Sequence, residues 1–327
     1  RVCPSYRVAL FRLLSSDSEI NSVLFLGENL PHSKVKNSQD LSGIKYIKLK
    51  TKFLNLGKRT FPLHIGLINE LKRFNPDVIL CEGESHFIGY LQAILYKYLY
   101  NKKVGLIHWC FISLPGNPIK EKNLRWVIKG IIRRYFDAFL LYSTFSKQRL
   151  CMHGNYKEKS FVATNVGDVK KFIHIANSLL ENKFQAKHIL KLPNQMTILY
   201  VGTMDKNKRP DMILELARKN RKNPFNFVLI GSGPLLDTLR QYKKINNLHN
   251  VFIPGRITEK LSLYYRAADV LLIPGRGGIV ISEAMAFGLP VIVHQADGTE
   301  YDLVKNNITG IHLPSGSIQD FETAINY

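Results

Sequence analysis

Four consecutive apolar residues, Val270-Leu271-Leu272-Ile273, do most to limit what this chain can fold into. A strand with no polar residue on either face must be covered on both sides, as a parallel strand flanked by helices is. Pro274-Gly275-Arg276-Gly277-Gly278 follows as a turn in which missing Cβ atoms let backbone amides approach a ligand. Residues 279–287 then have helical spacing, and Gly288-Leu289-Pro290 ends that helix with a C-terminal glycine and a proline. Val291-Ile292-Val293 is the next strand. A glycine-rich turn between a parallel strand and a helix leaves free amide donors and the positive end of the helix dipole facing the turn, which is an anion-binding device. Glu283 sits one turn into the helix, where its carboxylate can accept hydrogen bonds from a diol such as a ribose.

The same alternation runs back along the chain. Strand-like runs at 197–201, 226–230 and 251–252 are separated by helical patterns at 210–219, 235–245 and 259–267. In the first half, strands are expected at 23–26, 44–49, 77–80, 104–108 and 138–142, with helices at 62–74, 86–100, 120–136 and 146–153. Between 182 and 195 the pattern relaxes, most clearly at Lys191-Leu192-Pro193-Asn194-Gln195. The prediction is an α/β protein of two Rossmann-like domains, 1–185 and 196–327, joined by a linker at 186–195. Two such units imply a cleft, with ligands at the carboxyl ends of the strands. The chain opens on a helical pattern with no strand before it and closes as a helix begins, so an earlier strand and later helices are expected.

Three further motifs bear on chemistry. Val201-Gly202-Thr203-Met204-Asp205-Lys206-Asn207-Lys208-Arg209-Pro210 leaves a strand and opens a helix. Three cations at a helix N-terminus (Lys206, Lys208, Arg209) are locally unfavourable unless an anion joins them, which favours phosphate binding over a merely solvated lysine. Gly231-Ser232-Gly233-Pro234 is by itself a tight turn, because the third glycine of a dinucleotide fingerprint is missing. In the helix at 120–136, Lys122, Arg125, Lys129 and Arg133 fall within about 80° of one another, and Trp126 shares their face. Leu124, Val127, Ile128, Ile131 and Tyr135 form the opposite stripe, expected to face the core. A tryptophan among cations suits contact with anionic lipid, and a solvated charged face with one tucked Trp is the plainer alternative. His108, at the end of its strand, reads on the residues alone as a structural histidine.

Composition narrows the rest. With 45% hydrophobic residues and 22% charged, the chain is globular, and no apolar run approaches the roughly 20 residues that span a bilayer. The net charge of +21 is uneven: residues 1–190 carry 30 Lys+Arg against 13 Asp+Glu, a net +17. That suits an anionic surface, either nucleic acid or the inner leaflet of a membrane. Cys3, Cys81, Cys110 and Cys151 have no paired or metal-type spacing and read as reduced thiols of a cytosolic protein, with no secretory signal visible. There is no Walker loop, no Asp-x-Asp and no Cys/His cluster, which argues against P-loop and metal-dependent single-domain transferase chemistry.

Glu283-Ala284-Met285-Ala286-Phe287-Gly288-Leu289-Pro290-Val291-Ile292 resembles the nucleotide-sugar site of the retaining glycosyltransferases of family 4, which have the GT-B fold. The usual pattern has two glutamates eight positions apart, and here Gly275 stands where the first belongs. The resemblance implies that Glu283 binds ribose, and that Lys208, Arg209 and the amides of Gly277, Gly278, Ile279 and Val280 hold the diphosphate. Gly202, Thr203 and Gly231 would line the nucleotide cleft, with Thr203 in place of an arginine. Arg256 and Ile257 would meet the nucleobase, and Asp168 would cap a helix after Asn165. It also implies that His108 points at the donor sugar, so that His108, Lys208 and Glu283 are the catalytic candidates. The implied activity is metal-independent, retaining transfer from a UDP- or GDP-linked sugar to a lipid-linked or polysaccharide acceptor in bacterial surface-glycan synthesis. The expected location is the cytoplasm, with peripheral membrane contact through Lys122, Arg125, Trp126, Lys129 and Arg133, no cofactor, no metal and no nucleic acid. The rivals are a sugar-nucleotide epimerase of the same fold and a non-catalytic subunit that binds a nucleotide sugar or a polyanion.

Overall fold

The structure is a computed structural model and describes residues 2–31, 35–56, 59–83, 87–117 and 124–327. By contacts the chain divides into two units. The first holds Arg1–Ser113, Asn117–Tyr142 and Ser146–Ala163, and the second holds Thr164–Tyr327 with the short segments Leu114–Gly116 and Ser143–Phe145.

In the first unit the elements run α1 (Ser5–Ser16), β1 (Leu24–Leu26), β2 (Tyr46–Lys48), β3 (Thr51–Leu56), β4 (Arg59–His64), α2 (Leu67–Phe74), β5 (Val78–Glu82), α3 (Phe87–Leu99), β6 (Gly105–Cys110), α4 (Leu124–Arg133), β7 (Ala138–Leu141), α5 (Thr144–Cys151) and β8 (Ser160–Val162). Strands β5 to β8 make a parallel sheet in sequence order, and β1 and β2 pair in parallel by themselves. β3 and β4 form an antiparallel hairpin. The expected helix at 62–74 is therefore two things: Pro62 to His64 continue β4, and the helix starts at Leu67 after Gly66 turns the chain at φ +81°. The core of this unit gathers Leu71, Leu106, Phe136, Phe139, Leu141 and Leu150.

The expected orientation of α4 is corrected. Trp126 packs against the core, its ring 4.9 Å from His153, and the Arg133 guanidinium lies 4.3 Å over that ring with Arg133 only 3% exposed. Leu124, Val127, Ile128, Ile131 and Tyr135, expected inside, are all exposed. A guanidinium stacked on an indole can be buried where a bare cation cannot, which lets this face turn inward. Of the proposed lipid-facing set, Lys122 and the Arg125 side chain lie outside the described residues.

The second unit runs α6 (Val169–Ser178), α7 (Lys183–Ile189), β9 (Met196–Val201), α8 (Pro210–Lys219), β10 (Phe225–Ile230), α9 (Leu236–Ile245), β11 (Val251–Gly255), α10 (Leu261–Ala267), β12 (Val270–Ile273), α11 (Ile279–Ala286), β13 (Val291–Val293), α12 (Glu300–Leu303), β14 (Gly310–His312) and α13 (Ile318–Asn326). Its six strands are all parallel in the order β11-β10-β9-β12-β13-β14. All four residues of β12 are buried, as its unbroken apolar run requires. One core cluster (Ile198, Phe227, Leu272, Ile292) and a second (Leu199, Val228, Leu271, Val293) draw on alternate residues of the same strands, so the sheet is covered on both faces. Each fully buried leucine there is worth about 2–5 kcal/mol against alanine.

The stretch 186–195, expected as the linker, lies inside the second unit. Asn182 and Gln185 form a capping box that starts α7. Lys187, 5% exposed, then donates to the Gln195 carbonyl at 2.6 Å and to Asp269 at 3.1 Å, which fastens α7 to the sheet. The contact division falls instead between Ala163 and Thr164.

Candidate functional site

In the second unit the strand order reverses between β9 and β12, and the loops leaving these two strands meet at that point. Asp205 folds the loop after β9, its Oδ1 accepting from the amides of Asn207 at 3.0 Å and Lys208 at 3.2 Å. Lys208 crosses to the other loop, where its Nζ donates to the Arg276 carbonyl at 3.0 Å. The Arg276 amide returns a bond to the Asn207 carbonyl at 2.9 Å. Burial pushes the Lys208 ammonium below its ordinary range, and the carboxylates of Asp205 and Asp297 oppose that shift. Lys206 is exposed, and Arg209 donates to the Gly316 carbonyl at 3.2 Å. The crowding of three cations is thus relieved in part by Asp205, which weakens crowding as a reason for a bound anion. What remains is Lys208, a half-buried cation at the junction of the two loops.

Gly277 and Gly278 lead into α11, and among the described residues no hydrogen bond uses the amides of Gly277, Gly278, Ile279 or Val280. Four free donors at the positive end of a helix are what a phosphate needs. One turn further on, Glu283 is half-buried, and its Oε2 accepts from the Tyr265 hydroxyl of α10 at 2.9 Å. Burial raises its carboxyl above the ordinary range, and the Tyr265 bond opposes the shift.

Gly275 sits under the other loop. A Cβ there would lie 2.5 Å from the Asn207 carbonyl oxygen and 2.8 Å from the Lys208 carbonyl carbon. The space a side chain would need at 275 is filled by the backbone of 207–208, so the missing glutamate and the closeness of these loops are one feature.

The neighbouring turns complete the edge. Gly202 donates to the Ile230 carbonyl and Gly231 to the Gly255 carbonyl, both at 2.9 Å, which joins the turns after β9, β10 and β11. The Thr203 carbonyl accepts the Tyr200 hydroxyl at 2.8 Å. Ile257 packs on the core, and Arg256 is exposed just beyond β11. Asp168 caps α6 as expected, accepting from the Lys171 amide at 3.1 Å. Nearby, Gly167 donates to Ser282 of α11 at 3.1 Å.

Sequence reasoning missed Asp297. The loop after β13 is shaped by Glu300, fully buried and accepting from the amides of Ala296 at 2.9 Å and Gly298 at 2.7 Å. Asp297 Oδ1 accepts from Thr299 through the amide at 3.2 Å and the hydroxyl at 2.6 Å. Its carboxylate lies against Gly278, where any Cβ would overlap it. The available signal was an Asp-Gly turn leaving the strand next to β12, hence on the same sheet edge. Tyr265, buried on α10, carried no sequence signal for its bond to Glu283.

His108 belongs to the first unit and differs from expectation. Its strand runs on through Trp109 and Cys110, because those residues are as apolar as the ones before them, so His108 is not at the strand's end. The ring, 3% exposed, stacks on Phe136 at 4.8 Å and meets Tyr90 edge-on at 5.0 Å. Burial, with Arg133 nearby, pushes its pKa down to about 3. A neutral, enclosed imidazole has a packing role.

Comparisons with known proteins agree with this picture. Residues 181–327 match the family model described as glycosyl transferases group 1. A 41.2 kDa protein of the cps region of Klebsiella pneumoniae is 25% identical over 278 residues, covering 81% of this chain and 74% of that protein. The D-inositol 3-phosphate glycosyltransferase of Mycolicibacterium smegmatis is 30% identical over 152 residues, 43% of this chain and 34% of that protein. Among solved structures, Anabaena HepE in complex with UDP and glucose aligns with a TM-score of 0.70 at 16% identity, covering 98% of this chain and 85% of that one. The apo form of the lipopolysaccharide outer core galactosyltransferase WaaB aligns at 0.65 with 17% identity, covering 93% and 89%. The chain is therefore a glycosyltransferase of the GT-B fold, and its second unit carries the glycosyl transferases group 1 domain.

Proposed function

We propose that the chain is a retaining, metal-independent glycosyltransferase that moves a sugar from a nucleoside diphosphate, UDP or GDP, to a lipid-linked or polysaccharide acceptor in surface-glycan synthesis on the cytoplasmic side. The observation that carries this is the junction at the β9/β12 reversal. There Lys208 bridges two loops, beside the uncapped amides of Gly277 to Val280 and one turn from Glu283. The diphosphate would lie on those amides and on Lys208, with the ribose hydroxyls on the Glu283 oxygen that Tyr265 leaves free. As the sugar–oxygen bond breaks, charge grows on the departing diphosphate, and a fixed ammonium with helix-terminal amides stabilises it without reorganising. The acceptor hydroxyl would enter on the face the diphosphate leaves. Gly202, Thr203, Gly231 and Arg256 are proposed to line the nucleotide. The contexts in the relatives' names, a cps region and a lipopolysaccharide outer core, support the surface-glycan part.

Thermal stabilisation by UDP, GDP and ADP tests the donor site. One of them should stabilise the wild type by about 3 kcal/mol at a hundredfold over Kd, and should fail to stabilise Glu283→Ala. If none shifts the wild type, the donor-site assignment fails.

A further inference from the structure

We propose that Asp297 selects the donor sugar, its carboxylate accepting hydroxyls of a neutral sugar at the end of the diphosphate away from Glu283. The proposal rests on the donor-site reading above and adds a residue and a substrate class to it. Asp297 follows β13, the parallel neighbour of β12, so its loop and the glycine turn before α11 leave the same sheet edge side by side. Gly278 immediately precedes α11, and the Asp297 carboxylate fills the place that a Cβ would take, with Oδ1 2.5 Å from that point. Only a glycine admits this approach. The loop is built to hold the group. Glu300, fully buried, ties down the amides on either side of Asp297, those of Ala296 and Gly298. Thr299, also fully buried, gives both its amide and its hydroxyl to Oδ1. These bonds fix the side chain and leave Oδ2 with no hydrogen bond or ion pair among the described residues. Its charge is felt at Lys208, whose ammonium it helps to hold, yet the two do not pair.

A free carboxylate oxygen beside amides suited to phosphate opposes a bare diphosphate. A ligand that brings hydroxyl donors to that oxygen offsets the cost. The order along α11 says which hydroxyls these are. Glu283, one turn into the helix, would take the ribose, and the amides of 277–280 the diphosphate. What the diphosphate carries beyond its second phosphate then lies at the Gly278 end, where Oδ2 is free. Hydroxyl-to-carboxylate bonds are charge-assisted, and a site built to accept from hydroxyls rejects a group that lacks them. A sugar with its own carboxylate, a uronic acid, would meet like charge there and be refused.

Calorimetric titration with UDP, GDP, UDP-glucose, UDP-galactose, UDP-N-acetylglucosamine, UDP-glucuronic acid and GDP-mannose tests this, because each sugar nucleotide is read against its parent nucleotide. The wild type should bind one neutral sugar nucleotide about tenfold more tightly than the parent, and UDP-glucuronic acid no more tightly than UDP. Asp297→Asn should lose that preference and bind the parent nucleotide as well as the wild type or better. Its amide oxygen can keep the Thr299 bonds, so it should hold the wild-type melting temperature while turning an NH2 toward the sugar. Asp297→Ala, with no polar group to offer, should lose the preference too. The proposal is overturned, with the donor site left standing, if the wild type prefers none of these sugars or if Asp297→Asn keeps the preference. It is overturned likewise if Asp297→Asn loses nucleotide and sugar nucleotide affinity alike, which would make Asp297 a loop support. Magnesium that strengthens UDP binding in the wild type and not in Asp297→Asn would give Oδ2 to a divalent cation instead. If no nucleotide binds the wild type, the donor site fails and this proposal fails with it.

Discussion

Glu283 is held in a way that works against folding. Its carboxyl is raised by burial and only partly relieved by Tyr265, so the ionised form is disfavoured in the native state. For a carboxyl raised in this way, the contribution to stability is full below the ordinary carboxylate range and is lost as pH rises through the folded-state value. Glu283→Gln should therefore melt higher than the wild type at pH 7, and the difference should shrink as pH falls toward the ordinary range. The amide oxygen can still accept from Tyr265, so the gain should come with loss of nucleotide affinity, because a ribose diol binds an anionic acceptor better than an amide. A Gln variant no more stable at neutral pH would show that water reaches the carboxylate. Gly275 makes the opposite case. Restoring the glutamate of the resembling pattern, Gly275→Glu, forces a Cβ onto the 207–208 backbone and should cost about 1–3 kcal/mol. It should also weaken UDP binding by moving Lys208. A Gly275→Glu protein that keeps its melting temperature would show that the loop yields easily.

At the scale of elements, α4 separates two readings of one helix. If Trp126 faces the core, as its packing on His153 and Arg133 shows, Trp126→Ala should cost about 2 kcal/mol or more in urea unfolding, while Ile128→Ser costs little. The reverse ranking would put the apolar stripe inside. The sequence was ambiguous here for a physical reason: α4 has an apolar stripe and an aromatic–cationic stripe, and periodicity says only that they are opposite. The second unit was more legible, because β12 is an unbroken apolar run and β9 and β10 are interrupted only by Thr197 and Asn226, as strands covered on both faces are. Its glycine-rich turns announced the sheet edge where Lys208 and Glu283 lie. Short polar pieces escaped notice: the β3–β4 hairpin, β8, α7, α12 and β14 carry too few apolar residues to show a period. Asp297 escaped as well, since its place against Gly278 depends on which strands are neighbours, and spacing along the chain does not encode that.

For the whole molecule, the distribution of cores makes a thermodynamic prediction. Two hydrophobic clusters lie within the second unit, around Leu216 and Leu271, and two lie within the first, around Phe136 and Leu26. Chains with separate cores commonly depart from two-state unfolding. Lys208, the amides of 277–280 and Glu283 all belong to the second unit, so a nucleotide bound there stabilises that unit by mass action and leaves the first to unfold on its own terms. Calorimetry should show two transitions, with UDP or GDP raising only one. Limited proteolysis at the temperature between them should leave a protected fragment that begins near Thr164. A single transition that moves as a whole with nucleotide would mean that ligand binding couples both units.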